Sequence, residues 1–151
     1  MTAKEYLRQI EVLDIKIRQR EEQLSCLRET AGGAAAIRYD KLNIQSQVAP
    51  DMVENNVIRI VDIEKRIVED KLRLEAIKNE IIEQIHALND KRYIDILYHR
   101  YVKMERFEKI AVDMAYDYVY VRALHGEALG MFETKYAGIL QNLTQSYKII
   151  C

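Results

Sequence analysis

The side chains best suited to catalysis do not gather into a recognisable site in this sequence. The three histidines are widely spaced, at His86, His99 and His125. Asp95 lies four residues before His99, a helical spacing that favours a local hydrogen bond over an acid–base pair. The sequence contains no CxxC, HExxH, glycine-rich phosphate loop or nucleophile elbow. We therefore expect no enzyme activity, no cofactor and no metal ion.

A different chemistry, recognition of duplex DNA, is indicated by the spacing of residues 107–124. A DNA-binding helix-turn-helix packs two short helices at a steep angle, which requires a small residue where they touch. Ala111 has this position. Apolar residues expected to face the crossing flank it and recur in the second helix: Ile110, Met114, Val121 and Leu124. The pattern predicts two short helices that cross at Ala111.

Two residues of the turn between these helices, Ala115 and Asp117, stand at positions with specific conformational requirements. Asp117 stands just before the second helix, where its carboxylate is expected to accept hydrogen bonds from free N–H groups of the first turn. Ala115 stands where the chain often becomes left-handed, a conformation that costs a residue with a Cβ about 1–2 kcal/mol. Three upstream residues are expected to cover the back of the motif as a third helix: Leu97, Tyr98 and Tyr101.

Net charge alone does not point to DNA. The chain has 23 basic and 24 acidic residues, and residues 90–135 contain eight of each kind. Because phosphate neutralisation supplies much of the affinity of DNA-binding proteins, a neutral domain should bind weakly as a monomer. Two copies would double the contacts. We therefore expect a homodimer.

Two long helices must carry this motif. Alternating steps of three and four residues mark the seam of a coiled coil. In residues 2–28 seven of eight seam positions are apolar: Ala3, Tyr6, Ile10, Leu13, Ile17, Arg20, Leu24 and Leu27. In residues 55–88 seven of nine are apolar: Ile60, Ile63, Ile67, Asp70, Leu74, Ile77, Ile81, Gln84 and Leu88. The spacing leaves open whether the helices pair within one chain or between chains. We expect the long helices to serve for dimerisation or for contact with RNA polymerase.

The composition favours an all-α fold. Five glycines and one proline are too few for the many turns of a β protein. We predict a long N-terminal helical hairpin or coiled coil over residues 1–89, with a partly ordered connector at about 29–54. A small C-terminal helix-turn-helix bundle should follow over 90–140, with helices near 91–101, 106–114 and 118–140. A tail, 141–151, ends the chain.

The sequence also predicts where the protein acts. Its longest uncharged stretch, residues 136–147, has twelve residues, whereas a membrane span needs about 20. The first six residues carry charges where a signal peptide is apolar. Cys26 and Cys151 are too few for a disulfide framework. We expect a cytoplasmic protein that does not contact membranes.

Residues 97–129 resemble the fourth region of bacterial sigma factors. The similarity runs from Leu-Tyr-His-Arg-Tyr-Val through Glu-Lys-Ile-Ala to Val-Arg-Ala-Leu-His-Gly-Glu-Ala-Leu. This segment more closely resembles phage-encoded ArpU/RinA-type transcriptional regulators, which also place a helical N-terminal part before a sigma-like helix-turn-helix. Residues 2–7, Thr-Ala-Lys-Glu-Tyr-Leu, and the connector's Gln45-Ser46 and Pro50-Asp51 resemble the same family. The resemblance implies a regulator of phage genes in a bacterial host cell.

By position, the resemblance places the second helix of the motif, about 118–129, in the major groove. Its outward residues would be Tyr118, Val119, Arg122, Ala123 and Gly126, with His125 at the edge. Arg122 would read a base directly, because a guanidinium fits O6 and N7 of guanine, and Tyr118 would reach a phosphate or a base edge. Three basic residues near the first helix of the motif would hold phosphates: Lys103, Arg106 and Lys109.

Two other functions remain open at this point. Small terminase subunits, which package phage DNA, also join a helix-turn-helix to oligomerising helices. A third function keeps the sigma-like fold but binds RNA polymerase rather than DNA, and the neutral charge of residues 90–135 favours it.

Overall fold

The computed structural model describes residues 1–40 and 50–150, with side chains for residues 1–30 and 54–146. This part of the chain is helical and contains no strand, which confirms the all-α prediction. Its helices are α1 (Ala3–Leu7), α2 (Gln9–Asp40), α3 (Pro50–His86), α4 (Lys91–Leu97), α5 (Phe107–Met114), α6 (Tyr118–Lys135) and α7 (Ala137–Ile150). A π-helical segment, Tyr98–Val102, continues α4.

The contacts divide the chain into two compact units. One unit, the hairpin, is Leu13–Arg73; the other, the bundle, combines Met1–Val12 with Leu74–Cys151. The sequence grouped residues 1–89 together. The structure instead places residues 1–12 and 74–89 in the bundle. Helix α1 packs against α6, and Tyr6, Leu7, Ile81 and Ile85 are buried in the bundle core.

In the hairpin, α2 and α3 pair within one chain along the predicted seam. Four seam residues are buried there: Leu13, Ile17, Leu24 and Ile67. Two of the three polar residues in the seams, Arg20 and Asp70, form an ion pair with each other. Arg28 pairs with Glu64 farther along. Because residue numbers rise in one helix as they fall in the other, the two helices are antiparallel.

The predicted connector is shorter than the sequence suggested. We expected an interruption at about 29–54, but α2 continues to Asp40 and α3 begins at Pro50. Proline suits the first position of a helix, where its missing N–H leaves no bond unmade. The remainder of the predicted connector, 41–49, lies outside the described residues.

The bundle has a single apolar core contributed by nearly all of its helices. Its largest fully buried side chains are Leu7, Ile10, Ile81, Ile85, Ile96, Leu97, Ile110, Val121, Leu124 and Phe132. The ring of Phe132 lies 6.0 Å from that of Tyr6 and 4.7 Å from that of Tyr136, measured between centroids. This core holds α4, α5 and α6 together and so positions the predicted motif.

Two helix boundaries in the bundle differ from the prediction. The helix expected over 91–101 ends at Leu97 and continues as the π-helical segment. The helix expected over 118–140 breaks at Tyr136, whose hydroxyl donates to the carbonyl of Gln84 at 2.9 Å. The expected tail is helical as far as Ile150. None of the described helices is long and apolar enough to cross a membrane.

Candidate nucleic-acid interface

Helices α5 and α6 pack against each other, and Ala111 is buried in their shared core. Ala111 is 8% exposed, and Ile110, Val121 and Leu124 are almost wholly buried in the same core. A methyl group at the crossing allows two helices to approach more closely than a longer side chain would. The motif is therefore two short helices joined by a turn, and not one continuous rod.

The turn has the left-handed conformation that is common at the position of Ala115, and it differs from the prediction at Asp117. Ala115 is left-handed, with φ 56° and ψ 43°. The N–H of Tyr116 donates to the carbonyl of Ala111 at 3.0 Å, which closes the end of α5. Asp117 is the N-cap residue of α6, but its side chain accepts no capping hydrogen bond. Its carboxylate is exposed, so solvation replaces the predicted bond.

The outer face of α6 presents the residues expected to meet DNA. Tyr118, Val119, Arg122, Ala123 and Gly126 are all exposed, and Val119 is 77% exposed. The guanidinium carbon of Arg122 lies 5.9 Å from the centre of the Tyr118 ring, one helical turn away. This cation–π contact orients the arginine along the face while leaving its donors accessible.

His125 does not belong to that outer face, contrary to the expectation that it lies at the edge. Its ring is half-buried and shares a 2.8 Å hydrogen bond between Nε2 and the hydroxyl of Tyr101. The Phe107 ring meets it edge-on at 4.9 Å. Burial lowers the pKa of His125 from 6.5 to about 4, and nearby positive charges such as Arg100 add to the shift. The ring is therefore a neutral packing group that joins α6 to α5 and to the π-helical segment.

The predicted phosphate-binding residues differ in how free their charges are. The ammonium of Lys109 lies 2.7 Å from a carboxylate oxygen of Glu105 and 3.8 Å from one of Asp113. Lys103 lies 4.0 Å from the same Glu105. Arg106 is exposed at the N-terminus of α5, and no ion pair among the described residues involves it. Arg106 is thus the freest of the three.

Glu105 is a residue whose role the sequence analysis missed. Hydrogen bonds from Lys109 and then from His99 hold its pKa at about 2, well below the usual 4.5. His99 Nδ1 lies 2.7 Å from its carboxylate, so His99 bonds to Glu105 and not to Asp95 as expected. The four-residue spacing from Glu105 to Lys109 was the available signal. The contact from His99 depends on the π-helical segment and had no such signal.

Arg100 was also missed, and it braces the start of α5. Its guanidinium carbon lies 4.4 Å from the centre of the Phe107 ring. One of its nitrogens donates to the carbonyl of Glu105 at 2.9 Å. Arg100 is therefore a structural cation that fixes the bend between the π-helical segment and α5.

One group of side chains near α5 has the composition of a metal site. Ligand atoms of His99, Glu105 and Asp113 lie within 4.8 Å of one another. The ammonium of Lys109 is bonded to Glu105 and lies near Asp113, so it already supplies a positive charge to this group. We assign the group to the packing of α5.

Acidic residues are turned away from the outer face of α6 or lie beyond it. Glu127 accepts a 3.2 Å hydrogen bond from the hydroxyl of Tyr93 on α4. No acidic residue occurs in 118–126. Arg122 is therefore the one charged residue within 118–126, with the exposed carboxylate of Asp117 directly before this stretch.

The chain was compared with protein-family models, with characterised proteins and with solved structures, and no significant match was found.

Proposed function

We propose that this protein is a phage-type transcriptional regulator that binds double-stranded DNA through α6. The observation that carries the proposal is the exposed face of Tyr118, Val119, Arg122 and Ala123, which the crossing at Ala111 turns outward. An α-helix fits the major groove, and the arginine fork matches guanine there. The sigma-like sequence resemblance of residues 97–129 supports the same function.

The charges near the interface imply weak binding to DNA by a single copy. Arg122 and Arg106 are available to DNA, whereas Lys103 and Lys109 share the carboxylate of Glu105. Few free phosphate contacts imply weak binding by a monomer. We therefore propose that a homodimer places two copies of α6 on one duplex. Light scattering should give a dimer mass, whereas eight or more subunits would favour a packaging protein.

The direct experiment selects duplexes from a random double-stranded library and measures the affinity of the protein for the selected duplexes by fluorescence anisotropy. Arg122→Ala should weaken binding to the selected duplex about 10-fold and relax the preference at one base pair. Arg59→Ala is the matched control, because Arg59 is an exposed helical arginine on α3, and it should leave affinity unchanged. Equal affinities of wild type and Arg122→Ala would remove Arg122 as the reader.

A second function, a sigma-like module that binds RNA polymerase, is favoured by a specific observation. Val112, on the outward side of α5, is 79% exposed. Burying an apolar side chain against a protein surface stabilises a complex more than placing it beside a phosphate backbone does. Lys103 and Lys109, which are paired with Glu105, can contact a protein partner as readily as DNA. Retained capture of purified bacterial RNA polymerase, together with failure to select any duplex, would establish this function in place of the first.

A further inference from the structure

Apart from Arg122 and the hydroxyl of Tyr118, the outer face of α6 is apolar. Val119 is 77% exposed, Ala123 is exposed one turn later, and Gly126 follows. A Cβ added at Gly126 would meet nothing within 4 Å. The face therefore offers methyl groups and open space on either side of a single arginine.

In the major groove only one base edge is apolar. Thymine carries a C5-methyl group there, whereas guanine, adenine and cytosine present hydrogen-bonding groups. Val119 and Ala123 are four residues apart, which is about 6 Å along a helix. That distance is about two base steps of 3.4 Å along one strand. The two side chains therefore match methyl groups on base pairs two steps apart, with one base pair between them.

We propose that the α6 face selects duplexes in which thymine lies beside the guanine read by Arg122. Val119 and Ala123 would contact the thymine methyl groups while the guanidinium binds the guanine. Arg122 lies three residues after Val119 and immediately before Ala123, so all three side chains reach adjacent base pairs from one side of α6. This inference rests on the proposed DNA-binding function and adds the identity of the bases.

The experiment removes the methyl group without changing base pairing. The duplex that wild type selects from a random library is synthesised again with uracil in place of each thymine in turn. Loss of one buried methyl should weaken binding about fourfold. In Val119→Ser the same replacement at the contacted position should have no effect, because the partner of the methyl is gone.

Val112→Ser is the matched control. Val112 is 79% exposed on α5, so both valine substitutions alter an exposed side chain of the bundle. Circular dichroism should show both variants folded, and Val112→Ser should keep the fourfold uracil penalty. A uracil penalty that is absent in wild type, or unchanged in Val119→Ser, would overturn the inference and leave DNA binding intact. Failure to select any duplex would instead overturn the proposed function, and the inference with it.

Discussion

The hairpin and the bundle obtain their order from different kinds of sequence information. In the hairpin one repeated spacing of apolar residues defines the seam. Because many equivalent positions define it together, no single residue decides how the helices pair. In the bundle single residues decide the geometry, such as Ala111 at the crossing and Ala115 in the turn. A substitution in the hairpin should therefore be tolerated more readily than one at a decisive position of the bundle.

Polar contacts show the same difference. The pair of Arg20 and Asp70 replaces apolar residues within a seam and is partly exposed, with side chains 33% and 19% exposed. In the bundle, Glu105 is bonded to His99 and Lys109 together, and its side chain is only 11% exposed. The hairpin pair selects a register, whereas the Glu105 group fixes the path of the chain before α5.

The largest effect should come from enlarging the crossing. Ala111→Leu places three more carbons where α5 meets α6, and overpacking of this kind costs about 1–3 kcal/mol of unfolding free energy. Urea unfolding followed by the tyrosine signal in near-ultraviolet circular dichroism would measure it. Nine of the ten tyrosines lie in 1–12 and 74–151, so this signal reports the bundle.

Ala123→Leu is the matched control for that substitution. Ala123 is exposed on α6, so its enlargement should change the unfolding free energy by less than about 0.5 kcal/mol. Equal costs at the two alanines would contradict the close crossing.

A substitution in the turn should change the unfolding free energy by a smaller amount, and it should stabilise the bundle rather than destabilise it. Ala115→Gly removes the strain of a left-handed residue with a Cβ and should stabilise the bundle by up to about 1 kcal/mol. Ala76→Gly, at an exposed position inside α3, should destabilise by about 1 kcal/mol, the usual cost of glycine in a helix. Thermal unfolding of the two variants gives the comparison, and a shared sign would contradict the left-handed turn.

The ion pair of Arg20 and Asp70 in the hairpin should contribute less to the free energy of unfolding. A double-mutant cycle with Arg20→Leu and Asp70→Leu should give a coupling energy of about 0.5–1 kcal/mol, because both groups are partly solvated. The double variant should be at least as stable as wild type, since it completes an apolar seam. The pair of Asp14 and Arg18, at 3.1 Å on the surface of α2, is the control and should couple more weakly. Zero coupling between Arg20 and Asp70 would contradict their role in the register.

A separate loss of stability should appear on acidification. The pKa of His125 is lowered to about 4 by burial, below its ordinary 6.5. As pH falls below 6.5, the unfolded chain binds this proton before the folded bundle does, so stability declines until about pH 4. NMR titration of the ring and thermal unfolding across this range would measure both changes. His125→Asn should lose this part of the pH dependence, and a titration midpoint at 6.5 would contradict the packed position of the ring.

Much of the fold followed from the sequence, and the reasons for the rest are physical. Period and residue size are local properties, so the seam and the burial of Ala111 were predictable. The bend at Tyr136 depends on a hydrogen bond to Gln84, which is distant in sequence. The burial of His125 depends likewise on rings from two other elements. Contacts between residues that are distant in sequence produce no periodic pattern along it.

The candidate site was predicted unevenly for the same reason. The resemblance to the sigma-like motif identified the exposed face around Arg122. The sequence did not reveal that Glu105 forms an ion pair with Lys109, nor that Arg100 stacks on the ring of Phe107. Residue type and spacing indicate which charges exist, but the tertiary fold decides which of them remain available.

The account depends most on the outer face of α6 meeting a duplex. The most direct measurement is an amide NMR titration of the isotopically labelled protein with the duplex it selects from a random library. We predict that the largest shift changes fall at Val119, Arg122 and Ala123, with little change at Leu72 on the exposed surface of α3. Saturating duplex that leaves the α6 amides unmoved, or that moves only those of the hairpin, would contradict the account.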